Sequence, residues 1–181
     1  MKPSVKVVVA ALAVLAAAQW GVGARAAETA IGEPVTKNAL EIAAVYLQPV
    51  MMEPHMPGMN MGMDVHLEAD IRATEKNPNG FGPGEWVPYL GVTYRLEKLD
   101  SKWESFGVFT AMVANDGPHY GANVKLDGPG KYRVTYRIQP PAYQGMYRHT
   151  DKETGVAEWW EPFEVGWEFT FVGGVGKKGS Y

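Results

Sequence analysis

Four histidines, nine methionines and no cysteine define what this chain can offer a metal ion. The densest stretch is residues 51–70, MMEPHMPGMNMGMDVHLEAD, which gathers thioethers, imidazoles and carboxylates into one short piece of chain. A strand over residues 64–72 would send Val65, Leu67, Ala69 and Ile71 to one face and His66, Glu68, Asp70 and Arg72 to the other. His66 and Glu68 then stand side by side, a pairing that suits a metal. His119 follows Gly117-Pro118, where a rigid turn can fix a ring, and His149 sits in a late loop, YRHTDKETG. Met112 lies on the strand that runs toward His119. Imidazoles with a thioether suit copper, whereas imidazoles with a carboxylate suit Fe(II), Mn(II) or Zn(II). Both sets are present, so the donors alone leave the metal open.

Each of these residues also has a plainer reading. A histidine on the polar face of a strand is more often a surface residue, Met112 in an apolar strand is by default core filling, and Glu68 is by default solvated. Asp116 can orient the His119 ring as a hydrogen-bond acceptor, or simply satisfy backbone donors in its turn. The loop over residues 51–63 is different in kind, because a solvent-facing loop has little reason to hold Met51, Met52, Met56, Met59, Met61 and Met63. With His55 they form a candidate accessory Cu(I) site. The alternative is a loop that folds its methionines over the domain or against a partner. Trp159, Trp160 and Tyr120 read as core or interface aromatics, and an exposed aromatic platform would instead point to sugar binding.

Short alternating stretches must position these groups. Residues 41–48 (EIAAVYLQ) favour a strand by their Val, Tyr and Ile content and the following Pro49. Residues 87–98, 105–113, 131–139 and 163–171 alternate, while residues 77–84, 115–121 and 128–130 carry Gly/Pro turn chemistry. Residues 140–162 form a long loop. Many short strands without an amphipathic helix indicate an all-β protein, a single-domain immunoglobulin-like β-sandwich. With no cysteine, Trp and Tyr residues must fill the core that a disulfide would otherwise cross.

Residues 1–26 read as a secretory signal peptide: Lys2 and Lys6, an apolar run over 7–18, and Ala24-Arg25-Ala26 at a cleavage position. Residues 27–181 are then the exported domain, and removing Lys2, Lys6 and Arg25 takes the formal charge from −3 to −6. An acidic protein without a basic cluster argues against nucleic acid as a partner and is better suited to cationic ligands.

Several ordered motifs carry a resemblance: His66-Leu67-Glu68-Ala69-Asp70, Asn77-Pro78-Asn79-Gly80-Phe81, Met112-Val113-Ala114, the run from Asp116-Gly117-Pro118-His119 through Tyr120-Gly121-Ala122-Asn123, and Arg148-His149-Thr150-Asp151 through Glu153-Thr154-Gly155-Val156. Over residues 32–172 the chain resembles the periplasmic iron-transport protein family, also called Fe2+ transport proteins or a periplasmic antigen family. The resemblance implies a homodimer with a copper site near its interface, held by His66, Met112, His119 and His149. It implies that Glu68 joins when a second metal, iron or manganese, is bound, and that the protein works beside an inner-membrane iron permease. Arg72 and Tyr147 stand where family members often have histidines, and the methionine-rich loop is richer than the family pattern, which marks a supplementary copper site as particular to this chain. The expected function is therefore periplasmic copper and iron binding in support of iron uptake, with copper-assisted Fe(II) oxidation as an attached activity. A copper chaperone or buffer using the methionine loop is the second expectation, and a carbohydrate-binding sandwich the third.

Overall fold

The structure, a computed structural model, describes residues 28–54 and 62–174; the leader expected over residues 1–26, and His55, Met56, Met59 and Met61, lie outside them. Among the described residues the strands are β1 (Thr29–Ala30), β2 (Val35–Lys37), β3 (Leu40–Leu47), β4 (Val65–Ala73), β5 (Gly91–Lys98), β6 (Glu104–Val108), β7 (Thr110–Ala114), β8 (Gly117–Val124), β9 (Gly130–Gln139) and β10 (Phe163–Phe171). Every pairing between them is antiparallel. One sheet runs β1-β3-β4-β8-β7, with β2 also paired to β3, and the other runs β10-β9-β5-β6. The fold is thus the expected all-β sandwich. No described helix is long and apolar enough to cross a membrane.

Alternation builds the core as the sequence suggests. Leu67, Ala69 and Ile71 of β4 and Tyr132, Val134, Tyr136 and Ile138 of β9 are all essentially inaccessible. Each fully buried aliphatic side chain of this kind contributes roughly 1.5–3 kcal/mol. Aromatic side chains also tie the layers together by hydrogen bonds. The Tyr136 hydroxyl crosses the sandwich to donate to the backbone carbonyl of Glu68 (2.9 Å), and Trp167 Nε1 donates to Glu33 O (2.8 Å). These contacts fulfil the role proposed for aromatics in a chain without disulfides.

Three local expectations change. Residues 105–113 form two strands in different sheets, β6 and β7, with Phe109 as the joint: its ring is buried and its N–H donates to Val92 O (2.9 Å). The corner keeps its backbone hydrogen bond and its apolar side chain inside, so it leaves no break in the sequence pattern. The turn expected over residues 115–121 shrinks to Asn115-Asp116, and β8 already begins at Gly117, whose φ of +131° suits glycine. His119 is therefore a strand residue. Finally, β5 begins at Gly91 rather than residue 87, because Tyr89 takes φ +60° and the Tyr120 hydroxyl clamps this segment, donating to Val87 O (2.8 Å) and accepting from Leu90 N (3.0 Å).

Candidate metal centre

The face of β4 that carries His66, Glu68, Asp70 and Arg72 is the outer face of its sheet, yet His66 and Glu68 are buried (0% and 6% exposed). The reason is a cover. The segment after β3 forms an arm whose Val50, Met51, Met52 and Glu53 line a cavity together with His66, Glu68, Met112, Asp116 and His119.

Strand register explains how the donors meet. Glu68 pairs directly with Gly121 of β8, and His66 with Asn123. His119, two residues before Gly121, therefore shares its face, and across the hairpin it pairs with Met112. Gly121 leaves a hole in this grid of side chains. A Cβ at that position would lie 2.7 Å from His66 Nε2. Into the space around it lean His66 Nε2, 3.4 Å from Glu68 Oε1, and His119 Nε2, 3.5 Å from the same oxygen. The potential ligand atoms of His66, Glu68 and His119 all lie within 4.8 Å of one another, making this the one such group among the described residues.

Proton positions follow from the neighbours. Asn123 Oδ1 accepts from Val50 N (3.1 Å), and Asn123 Nδ2 donates to Val50 O (2.8 Å), which fixes the amide orientation. His66 Nδ1, 2.9 Å from Asn123 Oδ1, must then be the donor, and Nε2 keeps its lone pair toward Glu68. Both histidine Nε2 atoms are buried without a hydrogen-bond partner, the kind of deficit a metal relieves. Burial, outweighing the Asn123 hydrogen bond and reinforced by His119, lowers the His66 pKa to about 4, so the ring is neutral and able to ligate. Burial, helped by the charges of Asp70, Glu28 and Asp116, raises the Glu68 pKa to about 8. A carboxyl that keeps its proton to about pH 8 is one whose charged form a bound cation would stabilise. Two imidazoles, a carboxylate and a cross-strand thioether therefore fit copper, and the nitrogen–oxygen subset fits iron.

A second cleft of ≈ 210 Å³ adjoins the cavity and shares Glu68, His119, Glu28 and Asp116 with it; Glu41, Asp70 and Arg72 are among its other lining residues. Glu28, in the lead-in to β1, has no signal in the sequence, and Gly121 and Asn123 enter there only as members of a motif, without a role at the site. A glycine inside an alternating strand does signal close approach, so Gly121 was detectable in principle.

Other candidates are placed differently. His149 stands on the loop between β9 and β10 with a 73% exposed side chain; its Nδ1 contacts Thr154 Oγ1 (2.7 Å), and it does not belong to the buried group. Met51 and Met52 line the cavity mouth, whereas Met63 is half-buried just before β4. Trp159 packs beside Phe81 and lies at 88° to Trp160, so the two rings offer no flat platform for a sugar.

Comparisons with known proteins place most of the chain beside a family and its solved structures. A family model described as "Fe2+ transport protein" matches residues 25–173. A UPF0423 protein of Brucella abortus is 53% identical over 163 residues, 88% of this chain and 89% of its own length. The 34 kDa membrane antigen of Treponema pallidum is 41% identical over 148 residues, 78% of this chain and 72% of its own. Among solved structures, FetP of uropathogenic Escherichia coli strain F11 superposes with TM-score 0.79 at 57% identity, covering 81% of this chain and 97% of FetP. Copper-reconstituted P19 of Campylobacter jejuni gives TM-score 0.79 at 46% identity, covering 81% and 98%. A match across nearly the whole described chain, together with relatives this similar, shows that the protein belongs to the Fe2+ transport protein family.

Proposed function

We propose that this chain is a periplasmic copper- and iron-binding protein that supports iron uptake and passes iron to an inner-membrane permease. The observation that carries the reading is the pair of buried, partnerless Nε2 atoms of His66 and His119 facing Glu68. His66, His119 and Met112 hold copper, which outcompetes other divalent ions for nitrogen and sulfur donors. Glu68 turns toward the adjoining acidic cleft, where Asp70, Glu28 and Asp116 suit a harder cation such as Fe(II), with Mn(II) as a surrogate. Bound copper would supply a one-electron acceptor for Fe(II). Copper-bound P19 and the iron-transport family model support the two metals. The leader expected over residues 1–26 supports export, in line with FetP, which was expressed in the periplasm for its structure.

His149 completes the copper site from a second copy in a homodimer. Its exposure and its separation from the buried group in one chain support this arrangement, as do the exposed Met51 (82%) and Val113 (77%) at the cavity mouth. The test is a crystal structure loaded with copper and iron, with anomalous data at both edges. Copper should lie between His66 and His119, and iron beside Glu68. Copper elsewhere removes the site, and an absent iron peak removes iron handling.

One observation favours a copper chaperone as a second reading: Met51 and Met52 stand over the same cavity as Met112. Deleting residues 51–63 should then abolish Cu(I) capture while leaving iron-limited growth intact, and the reverse outcome eliminates this reading.

A further inference from the structure

Asn123 touches two parts of the molecule that are 16 residues apart in sequence, Val50 on the methionine arm and His66 on β4. We infer that it is a positioning residue through which docking of the arm selects the metal-binding tautomer of His66. The inference rests on His66 being a metal ligand, as proposed above.

The argument is one of donor and acceptor matching. A primary amide has one oxygen, which accepts, and one nitrogen, which donates. Val50 presents an N–H 3.1 Å from Asn123 Oδ1 and a carbonyl 2.8 Å from Nδ2, so both ends of the amide are matched. Rotating the amide by half a turn would set N–H against N–H and carbonyl against carbonyl. The arm backbone therefore dictates which end of Asn123 points inward. That end is Oδ1, 2.9 Å from His66 Nδ1, and only a protonated Nδ1 can satisfy it. Nε2 is thereby left unprotonated beside Glu68, in the hole left by Gly121.

Without Val50 in place, the amide loses the two backbone contacts that favour this orientation. In the rotated one Nδ2 donates to His66 Nδ1, the ring proton moves to Nε2 by exchange with solvent, and that proton occupies the metal position. No net charge changes. The same arm carries Met51 and Met52 over the cavity. A soft cation gathered by these thioethers would thus be drawn to the arrangement that readies His66, and His66 in turn favours the arm where its methionines face inward. Asn123 makes copper capture and ligand preparation one event.

Two-bond 15N–1H correlation spectra of the metal-free protein labelled at histidine report the tautomer directly. The wild type should show His66 protonated at Nδ1. Val50→Pro removes the arm N–H and leaves the His66, Glu68, Met112 and His119 side chains in place; it should shift His66 toward the Nε2-protonated form. Asn123→Leu should do the same and lower copper affinity about 10- to 100-fold, the range seen when such partners of a ligating histidine are lost. Asn123→Asp keeps an oxygen toward His66 and should rescue both tautomer and affinity, a recovery that a purely structural role for the residue does not predict. Thermal melts identify any variant that fails to fold, and a folded Val50→Pro protein that keeps the wild-type tautomer overturns the role of the arm. A wild-type His66 protonated at Nε2, or an Asn123→Leu protein with wild-type tautomer and affinity, overturns the inference. If copper leaves the His66 ring signals of the wild type unmoved, the copper-site reading fails instead, whatever the tautomer.

Discussion

Glu68 is the residue whose protonation most directly opposes metal binding. Its pKa is raised from 4.5 to about 8 by burial and by Asp70, Glu28 and Asp116, so the metal-free protein at neutral pH holds a proton that a cation must displace. The same shift makes stability depend on pH. Between pH 4.5 and 8 the folded state binds the Glu68 proton more tightly than the unfolded chain does, so this contribution is complete below 4.5 and lost as pH rises toward 8. His66 runs the other way: lowered from 6.5 to about 4, its contribution is complete above 6.5 and lost as pH falls through 4. The two oppose each other between 4.5 and 6.5, and above 6.5 only Glu68 acts. Denaturant melts of the metal-free protein should therefore show stability falling from pH 6.5 to 8, by at most about 1.4 kcal/mol per pH unit. Glu68→Gln should flatten that limb. An alkaline limb that persists in the variant would assign the proton to another group.

The β7–β8 hairpin is the element that makes a site out of a strand pair. It brings Met112 opposite His119 and sets Gly121 against Glu68. Gly121→Ala would place a methyl group 2.7 Å from His66 Nε2 and 3.2 Å from Leu67 O. Neither the strand backbone nor a hydrogen-bonded ring yields cheaply, so we expect a loss of roughly 1–3 kcal/mol in stability and at least a tenfold loss of copper affinity. Calorimetric copper titration beside a urea melt checks both; wild-type copper affinity would show that the metal lies away from Gly121. How much of this was readable in the chain varies with the interaction responsible. Period-two alternation exposes β4, β9 and β10 directly, and it places His66 and Glu68 on one face. The switch between sheets at Phe109 is silent, because the corner residue is itself apolar and hydrogen-bonded. The burial of His66 is equally silent, since it depends on an arm folding back over the sheet. That His66 and His119 meet depends on register between strands more than fifty residues apart, which no local pattern encodes. The family resemblance, carried by the order of the motifs, supplied that ligand set.

At the scale of the whole molecule, one chain leaves His149 outside the buried His66, Glu68 and His119 group and leaves apolar side chains uncovered. Met51 and Val113 border the cavity, and Phe106 and Val108 lie exposed on β6, an edge strand of the second sheet. Apolar side chains on sheet edges invite pairing, and in the proposed homodimer a second copy would cover them and bring a histidine. His149 is well prepared for that role. Thr154 Oγ1 contacts both Asp151 Oδ2 (2.8 Å) and His149 Nδ1 (2.7 Å), and its single proton goes to the carboxylate, so it accepts from the ring and leaves Nε2 as the open ligand atom. Mixed dimers separate ligation across the interface from ligation within one chain. His119→Ala and His149→Ala proteins should each bind copper weakly alone. If His149 acts across the interface, a dimer with one subunit of each kind has one site with both histidines intact, contributed by different chains, and one site lacking both. Unfolding and refolding an equimolar mixture should then recover tight copper binding at one site per mixed dimer, read by titration with a Cu(I) chelator as competitor. If His149 serves its own chain, every site in the mixture lacks one histidine and no tight binding returns.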